Sequence, residues 1–340
     1  MIERRSVVRF TAPREVEVTD TELPQPTDDE VLVDTDLSAI SAGTELLVYR
    51  GEAPADLDAD ETVRGLDGTL SFPIAYGYTV VGRVAWVGKN VDPTWRGRRV
   101  FAFHPHTSAF AARPNELIAI PDDIATADAL FLANMETAVS LAMDGEPVIG
   151  ERVAVFGQGI VGLLTIAVLA RFPLATRVAV DLHRVRRQWA RELGADITID
   201  PTDDDRDAHL AEALGPQRAD LVYELSGAPI ALDQAIATTG DGGRVIIGSW
   251  YGVKNVGLDL GGRFHRSAIT LRASQVSRLA SRWRERWTKH RRLHTAWEMI
   301  RQIRPHRLIT HRFPIRAAAE AYRQLDTAPA STLQVVLEHH

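Results

Sequence analysis

The chain has 340 residues, of which 45% are hydrophobic and 25% are charged, and it contains no cysteine. This length and apolar fraction are typical of two domains with separate cores. With 39 basic and 45 acidic residues the net charge is −6, so nothing points to a nucleic-acid partner. The lack of cysteine excludes disulfides and cysteine-bound zinc. No apolar run is long enough to span a bilayer and no hydrophobic stretch follows the basic start, so we expect a cytoplasmic protein.

The first third of the chain alternates short β-rich runs with glycine and proline. Runs at 31–33, 80–84 and 99–103 are typical of strands, and their spacing predicts an antiparallel, barrel-like domain over residues 1–124. The same pattern returns after Thr310 and ends in a strand at 333–337, so we expect 310–338 to complete this domain. We interpret the last residues as the start of a histidine tag, and His339 and His340 are not functional candidates on that basis.

Between these two parts the sequence alternates strands and helices. We predict strands at 153–156, 177–180, 196–199, 219–223 and 244–247, and helices at 160–171, 184–193, 205–214 and 230–238. Regular alternation with continuous apolar strands is typical of a doubly wound parallel sheet. The expected fold class is therefore α/β, with a parallel-sheet domain over residues 125–309 inserted into a β-rich one.

A glycine motif follows the first strand of the parallel-sheet domain. It reads G-x-G-x-x-G from Gly157 to Gly162, and Asp181 ends the next strand about 20 residues later. Glycines at these positions allow a tight turn, a close approach to a pyrophosphate, and close packing of helix on strand. The diphosphate would rest on the positive end of the helix. This combination predicts a dinucleotide-binding (Rossmann) domain.

The acid at the end of the second strand favours NAD(H), because a carboxylate accepts from the ribose 2′-hydroxyl and repels a 2′-phosphate. His183 and Arg184 follow closely and keep NADP(H) possible. The predicted cofactor-binding residues are Gly157, Gln158, Gly159, Ile160, Val161, Gly162, Asp181, His183, Arg184, Ser226, Gly248 and Trp250.

The sequence resembles the medium-chain dehydrogenase/reductase superfamily over essentially its whole length. The segments that carry the resemblance are Ala42-Gly43-Thr44-Glu45, Gly77-Tyr78-Thr79-Val80-Val81-Gly82 and Leu132-Ala133-Asn134-Met135-Glu136-Thr137-Ala138. The resemblance implies a GroES-like catalytic domain split around a Rossmann domain. It also implies an NAD(P)-dependent oxidoreductase acting on a small molecule, as a homodimer or tetramer.

The positions at which zinc-dependent members of this superfamily hold their metal carry Ala42, Tyr78 and Ala133 here. Alanine has no donor atom and tyrosine is a poor zinc ligand at neutral pH, so we expect a member without zinc. The cysteine lobe that binds a structural zinc is also missing. His104 and His106 are close in sequence but lack an obvious third and fourth ligand, and we interpret them as loop histidines.

Without zinc, hydrogen-bond donors must polarise the reacting oxygen. Thr44 matches the superfamily's hydroxyl relay, and Tyr78 brings a phenol to a former ligand position. Glu45 stands at the position of an aspartate in the superfamily, and this aspartate often has a structural role beside the site. The candidate catalytic residues are therefore Thr44, Tyr78 and Glu45. Because such donors polarise less strongly than a metal, we expect a substrate whose alcohol or ketone is conjugated to a π-system. Glu136 is expected to flank the same site.

Two segments are similar to the bacteriochlorophyllide dehydrogenase branch, which oxidises a hydroxyethyl group on a chlorin ring to acetyl: Ser38 to Glu45, and Gly248-Ser249-Trp250-Tyr251-Gly252. Two other functions stay open. One is reduction of a C=C bond in an enone or quinone, and the other is a non-catalytic dinucleotide-binding sensor or scaffold. Trp250 and Tyr251 either line the site or pack in the core.

Residues 278–307 are rich in arginine, with tryptophans between the arginines. We interpret them as an amphipathic helix with a solvated basic face, although a patch for substrate carboxylates or a phosphate is an alternative.

Overall fold

The structure, a computed structural model, describes residues 4–59, 66 and 68–340. It divides into two compact units. Unit 1 comprises Met1–Leu132 with Arg304–His340, and unit 2 comprises Ala133–Ile303. Residues 1–3, 60–65 and 67 of the expected 1–124 domain lie outside the described residues.

Unit 1 is rich in antiparallel strands. Its strands are β1 (Arg4–Ala12), β2 (Glu15–Glu22), β3 (Val31–Ile40), β4 (Val80–Val87), β5 (Arg99–Ala102), β6 (Ala109–Ala112), β7 (Leu117–Ala119), β8 (Ile309–Pro314) and β9 (Gln334–Glu338). Its helices are α1 (Ala42–Arg50), α2 (Thr126–Ala129) and α3 (Ala318–Thr327).

The strands of unit 1 form two sheets. β1 pairs with β2, and a larger sheet has the order β8-β9-β3-β4-β5-β7, with β6 also pairing with β3. Alternate residues of the central strands point into one core, which includes Val31, Val33, Val80, Val84 and Phe110. The strand-rich, largely antiparallel domain expected from the sequence is confirmed.

Unit 2 is a parallel sheet with helices. Its strands are β10 (Arg152–Phe156), β11 (Thr176–Val180), β12 (Ile197–Ile199), β13 (Ala219–Glu224), β14 (Thr239–Ile247) and β15 (Thr270–Ala273). Its helices are α4 (Leu132–Gly145), α5 (Ile160–Leu169), α6 (Arg184–Glu192), α7 (Arg206–Leu214), α8 (Pro229–Thr238) and α9 (Lys289–Ile303). The strand order is β12-β11-β10-β13-β14-β15, and every neighbouring pair is parallel.

The doubly wound sheet predicted from the sequence is therefore confirmed, with small differences at its element ends. The helix expected to reach residue 171 ends at Leu169. The sixth strand, β15, was not predicted, because its sequence Thr-Leu-Arg-Ala has no continuous apolar run and lies at the edge of the sheet. No helix among the described residues is long and apolar enough to cross a bilayer.

The arginine-rich segment does not form the single helix that its composition suggested. A short helical turn at Ser281–Trp283 precedes α9, which begins only at Lys289. Some of the arginines stack on tryptophan rings, as Arg291 does 4.2 Å from the centroid of Trp287. Cation–π stacking thus holds part of this segment against its own aromatic residues.

The C-terminal residues, interpreted above as a tag, take part in the fold of unit 1. Leu337 pairs with Ser38 in the ladder between β9 and β3. The ring Nε2 of His339 lies 2.9 Å from the Ser38 hydroxyl oxygen. Burial and the nearby charge of His106 lower the pKa of His339 to about 3, so this ring is neutral at physiological pH.

Candidate active site

The glycine motif forms a tight turn between β10 and α5. Gly157 has φ of +89°, and a Cβ there would lie 2.5 Å from the backbone nitrogen of Ser226. A Cβ at Gly162 would lie 1.9 Å from the carbonyl oxygen of Gly157. At Gly159, the residue that caps α5, no atom lies within 4 Å of the Cβ position. There is therefore no room for a side chain at Gly157 or Gly162, where the turn packs against the protein backbone. The space at Gly159, at the N-terminus of α5, is open, as the approach of a diphosphate requires.

Asp181 lies beside this turn, directly after β11, and its carboxylate is nearly buried. One of its oxygens accepts from the backbone N–H of Gln158 at 2.7 Å, and the other accepts from the N–H of His183 at 2.8 Å. These bonds fix the carboxylate next to the glycine turn. Ile160 and Val161 form the first turn of α5.

Basic residues also surround this carboxylate. Arg184, the first residue of α6, is exposed, whereas an Arg186 Nη1 lies 4.0 Å from an Asp181 oxygen. Burial and the charge of Arg186 lower the pKa of His183, so its ring is neutral at pH 7. Arg186 was missed from the sequence, although the run of arginines at the start of α6 was a usable signal. It is better placed than Arg184 to affect the choice between NAD(H) and NADP(H).

The remaining cofactor candidates are organised by Glu224, a fully buried residue at the end of β13 that sequence reasoning missed. Its side chain accepts from the backbone N–H and hydroxyl of Ser226, and from the Tyr251 hydroxyl at 2.7 Å. Its backbone carbonyl accepts from Gly248 at 3.0 Å. Trp250 is half-buried next to Tyr251. Glu224 therefore fixes both loops that follow the neighbouring strands β13 and β14, where ligands bind in sheets of this kind.

The two glycine environments give a paired prediction. Gly162→Ala forces a methyl group onto a carbonyl oxygen that cannot move freely, so we expect about 1–3 kcal/mol lower stability together with weaker NADH binding. In Gly159→Ala the added methyl group has no protein atom within 4 Å, so we expect Tm to be unchanged. The methyl group would occupy the space of the diphosphate, so the Kd for NADH should rise about tenfold or more. Thermal unfolding and calorimetric titration measure both effects.

Gly257→Ala is the matched control in unit 2, because its added methyl group also meets no atom within 4 Å. It should change neither Tm nor NADH affinity. Unchanged NADH affinity in Gly159→Ala would contradict the placement of the diphosphate at this turn.

Three hydroxyl groups meet at the start of α1 in unit 1. Ser41 caps this helix, Thr44 lies in its first turn, and Tyr78 comes just before β4. The Tyr78 hydroxyl donates to Ser41 Oγ and lies near the Thr44 side chain. Burial, and to a lesser extent the charge of Glu45, raise the pKa of Tyr78, while the hydroxyl groups of Ser41 and Thr44 partly oppose this. The phenol is therefore protonated at neutral pH.

Glu45 is fully buried under this hydroxyl cluster. One carboxylate oxygen accepts from the backbone N–H of Ser41 at 2.7 Å. The other accepts from the Tyr322 hydroxyl and lies 2.9 Å from His106 Nε2. The second ring nitrogen of His106 lies 2.8 Å from Ser38 Oγ. With both oxygens engaged, Glu45 anchors the start of α1, and His106 is a buried partner of this carboxylate within its loop.

The residues at the expected zinc positions do not fit a catalytic zinc ion. Ala42 and Ala133 present methyl groups, and Tyr78 keeps its proton. Across residues 4–59, 66 and 68–340, no three His, Cys, Asp or Glu side chains are grouped so that they could hold a metal ion. Ala42 opens α1 and Ala133 is buried in α4.

Glu136 is engaged in a buried ion pair within unit 2. Its carboxylate lies 2.8 Å from Arg292 Nη2, and both side chains are 3% exposed. Arg292 shares the buried face of α9 with Ala296, Ile300 and Ile303, because positions i, i+4, i+8 and i+11 of a helix fall on one side. The expectation of Arg292 on a solvated face is therefore wrong, and Glu136 has a structural partner.

Known proteins that are similar to this chain in sequence are dehydrogenases. Residues 161–291 match the family model described as zinc-binding dehydrogenase. The (R,R)-butanediol dehydrogenase of Bacillus subtilis is 30% identical over 207 residues, which are 52% of this chain and 59% of that protein. The D-guloside 3-dehydrogenase of Escherichia coli K12 is 25% identical over 303 residues, covering 85% and 86% of the two chains.

A solved structure has the same fold over nearly the whole chain. An alcohol dehydrogenase from Escherichia coli CFT073, complexed with NADH, covers 99% of both chains with a TM-score of 0.80 and 18% identity. The related proteins are dehydrogenases, which confirms the predicted enzyme class of NAD(P)-dependent oxidoreductases. Residues 161–291 and the longer alignments therefore show that the chain is similar to dehydrogenases of the zinc-binding type.

Proposed function

We propose that this protein interconverts a secondary alcohol and a ketone adjacent to a conjugated system, with NAD(H) preferred over NADP(H) and without a catalytic zinc ion. The observation that carries this proposal is the hydroxyl cluster of Ser41, Thr44 and Tyr78, which stands where the superfamily resemblance expects metal-binding residues.

The glycine turn fits a dinucleotide, since it is open at Gly159 and has a fixed carboxylate beside it. We assign the diphosphate to the N-terminus of α5 and the adenosine ribose to Asp181. When bound, a nicotinamide dinucleotide accepts or supplies the hydride. NAD(H) is favoured because the nearly buried Asp181 carboxylate would repel a 2′-phosphate, although Arg186 beside it reduces this preference.

The protein's own residues act on the substrate oxygen. We assign Thr44 and Tyr78 as the two donors that hold it. Tyr78 has one hydroxyl proton, which it donates to Ser41 Oγ here and redirects to the substrate oxygen when substrate binds. The raised pKa of Tyr78 keeps its proton in place, so the phenol can donate to an oxygen that gains negative charge during ketone reduction. Glu45 is a positioning residue, because its oxygens are used by Ser41, Tyr322 and His106.

The preference for a conjugated substrate follows from the strength of these donors. A well-placed hydrogen-bond donor contributes about 3–4 kcal/mol at a developing oxyanion. A metal ion also contributes several kcal/mol to stabilising the reacting oxygen. A site that has hydrogen-bond donors but no metal ion therefore polarises the substrate oxygen less than a site that has both. Hydride removal is easier from a carbon next to a π-system. The loose similarity to the bacteriochlorophyllide dehydrogenase branch agrees with this substrate type.

A matched pair of alcohols tests the proposal with the full chain and NAD. 1-Phenylethanol and 1-cyclohexylethanol differ mainly in conjugation. We expect kcat/KM to be at least about tenfold higher for the phenyl compound, a difference of about 1.4 kcal/mol in activation free energy. Prolonged treatment with a chelator should leave the activity unchanged, and metal analysis should find less than stoichiometric zinc.

Three results would contradict the proposal: equal rates for the two alcohols, loss of activity on chelation, or one zinc per chain. An enone tests the first alternative function, because reduction of its C=C bond gives the saturated ketone in place of the allylic alcohol. Tight NADH binding without turnover of any of these compounds would support the non-catalytic alternative.

A further inference from the structure

We propose that Arg5 and Arg9 of β1 form a binding site for a small molecule that carries an oxyanion, either a phosphate monoester or a carboxylate. This site lies within unit 1, and its argument is independent of the proposed oxidoreductase function.

The first observation is a cavity next to β1. It has a volume of about 450 Å³, in the range of small-ligand pockets, and Arg5, Val7 and Arg9 line one side of it. These three residues point to the same face of the strand, because side chains alternate with a period of two. Val8 and Phe10 point the other way and are buried in unit 1. The strand therefore presents two guanidinium groups to one cavity.

The second observation is that neither guanidinium has a partner among the described residues. Arg5 and Arg9 form no ion pair or hydrogen bond through their side chains there, and Arg5 Nε is buried without an acceptor. Burial and the charge of Arg9 lower the pKa of Arg5, which shows that the two charges affect each other. Glu17 lies opposite Arg9 in the ladder, but it is exposed and forms no ion pair with it. A buried donor left unpaired is costly, and an oxyanion would satisfy it.

The rest of the cavity wall indicates what kind of molecule fits. Thr69 and Ser71 line it, and their hydroxyl groups share a hydrogen bond of 2.8 Å, which leaves one hydroxyl proton to donate to a bound oxygen. Pro73, Ile74 and Pro105 add apolar surface. A planar guanidinium binds phosphate and carboxylate through two parallel bonds. This combination suits a small organic anion with its charged end at the two arginines.

The test is binding of inorganic phosphate and of acetate to the full chain, at constant ionic strength in chloride buffer without dinucleotide. Saturable calorimetric titration and a rise in Tm are expected for wild type. Arg9→Gln should raise the Kd for the anion at least about tenfold. Arg9→Lys keeps the charge but loses the planar guanidinium, so its Kd should lie between those of wild type and Arg9→Gln. The stronger of the two anions identifies the ligand as a phosphate or a carboxylate.

Arg96→Gln is the matched control, because Arg96 is an exposed arginine of the same unit that does not line the cavity. It should bind the anion as wild type does. Without anion, Arg9→Gln should unfold at the same temperature as wild type or higher, because it removes a charge that repels Arg5. Non-saturable binding, or equal weakening by Arg9→Gln and Arg96→Gln, would overturn the proposal. Either result would leave the assigned dehydrogenase activity untouched.

Discussion

Tyr78→Phe is expected to lower kcat for ketone reduction about 100- to 1,000-fold, while the Kd for NADH stays within about twofold of wild type. The phenol is a donor to the reacting oxygen in our proposal, and removal of one donor at a developing oxyanion has this effect. NADH affinity should not change, because the glycine turn and Asp181 belong to unit 2 and Tyr78 belongs to unit 1. Single-turnover kinetics with NADH and the matched ketone measure the chemical step.

The pH profile gives a second readout of the same residue. The pKa of Tyr78 is raised above its ordinary value of 10 by burial and by the Glu45 charge. A raised pKa keeps the phenol protonated to higher pH, so the wild-type rate should persist through pH 10 and fall only above it. Tyr78→Phe has no proton to lose there, so this alkaline limb should disappear from its profile.

Tyr49→Phe is the matched control for the loss of a hydroxyl. Tyr49 is also buried in unit 1, and its ring packs against Phe10 and Tyr322. No hydrogen bond of its hydroxyl is present among the described residues. Its removal should leave kcat within about twofold of wild type. If Tyr78→Phe also retains kcat within about threefold, Tyr78 is an aromatic that only fills the core.

The features that the sequence predicted well are local in the chain. The strand at 153–156, the glycine turn and the following helix are adjacent, and each is specified by a short pattern of apolar residues and glycines. Asp181 was also predictable, since one strand–helix–strand unit has a nearly fixed length. The Asp181 carboxylate accepts a hydrogen bond from the backbone N–H of Gln158, 23 positions earlier in the chain.

The features that could not be predicted depend on partners far apart in sequence. Glu45 meets Tyr322 across 277 positions, and Ser38 meets His339 across 301. Nothing in the local sequence of either residue indicates its partner, because the pairing is set by how the C-terminal strand and helix pack in unit 1. The same holds for the cavity beside Arg5, whose walls come from separate segments of unit 1.

The arginine-rich segment shows how composition can mislead. Its many arginines suggested one solvated face, yet the period of α9 places Arg292 among buried apolar residues. The inward face of α9 is set by its apolar residues, and Arg292 lies on that face one turn before Ala296. The buried arginine then requires an acid, which is Glu136.

Arg292→Met is accordingly expected to lower the free energy of unfolding by about 3–5 kcal/mol. The substitution keeps an unbranched side chain of similar length but leaves the Glu136 carboxylate buried without its cation. It also removes the bond from Arg292 to the carbonyl oxygen of Val276, at 2.6 Å. Urea unfolding followed by tryptophan fluorescence measures the change.

Arg301→Met is the control on the same helix, because its ion pair with Glu298 is 30% and 44% exposed. Exposed pairs three or four residues apart on a helix contribute only about 0.2–0.5 kcal/mol, so this variant should be nearly as stable as wild type. The double variant Glu136→Leu/Arg292→Met removes both buried charges, and it should recover much of the stability lost by Arg292→Met alone. If the double variant is as unstable as the single one, packing by the arginine stem and its bond to Val276 stabilise this region. In that case the cost does not come from an unpaired carboxylate.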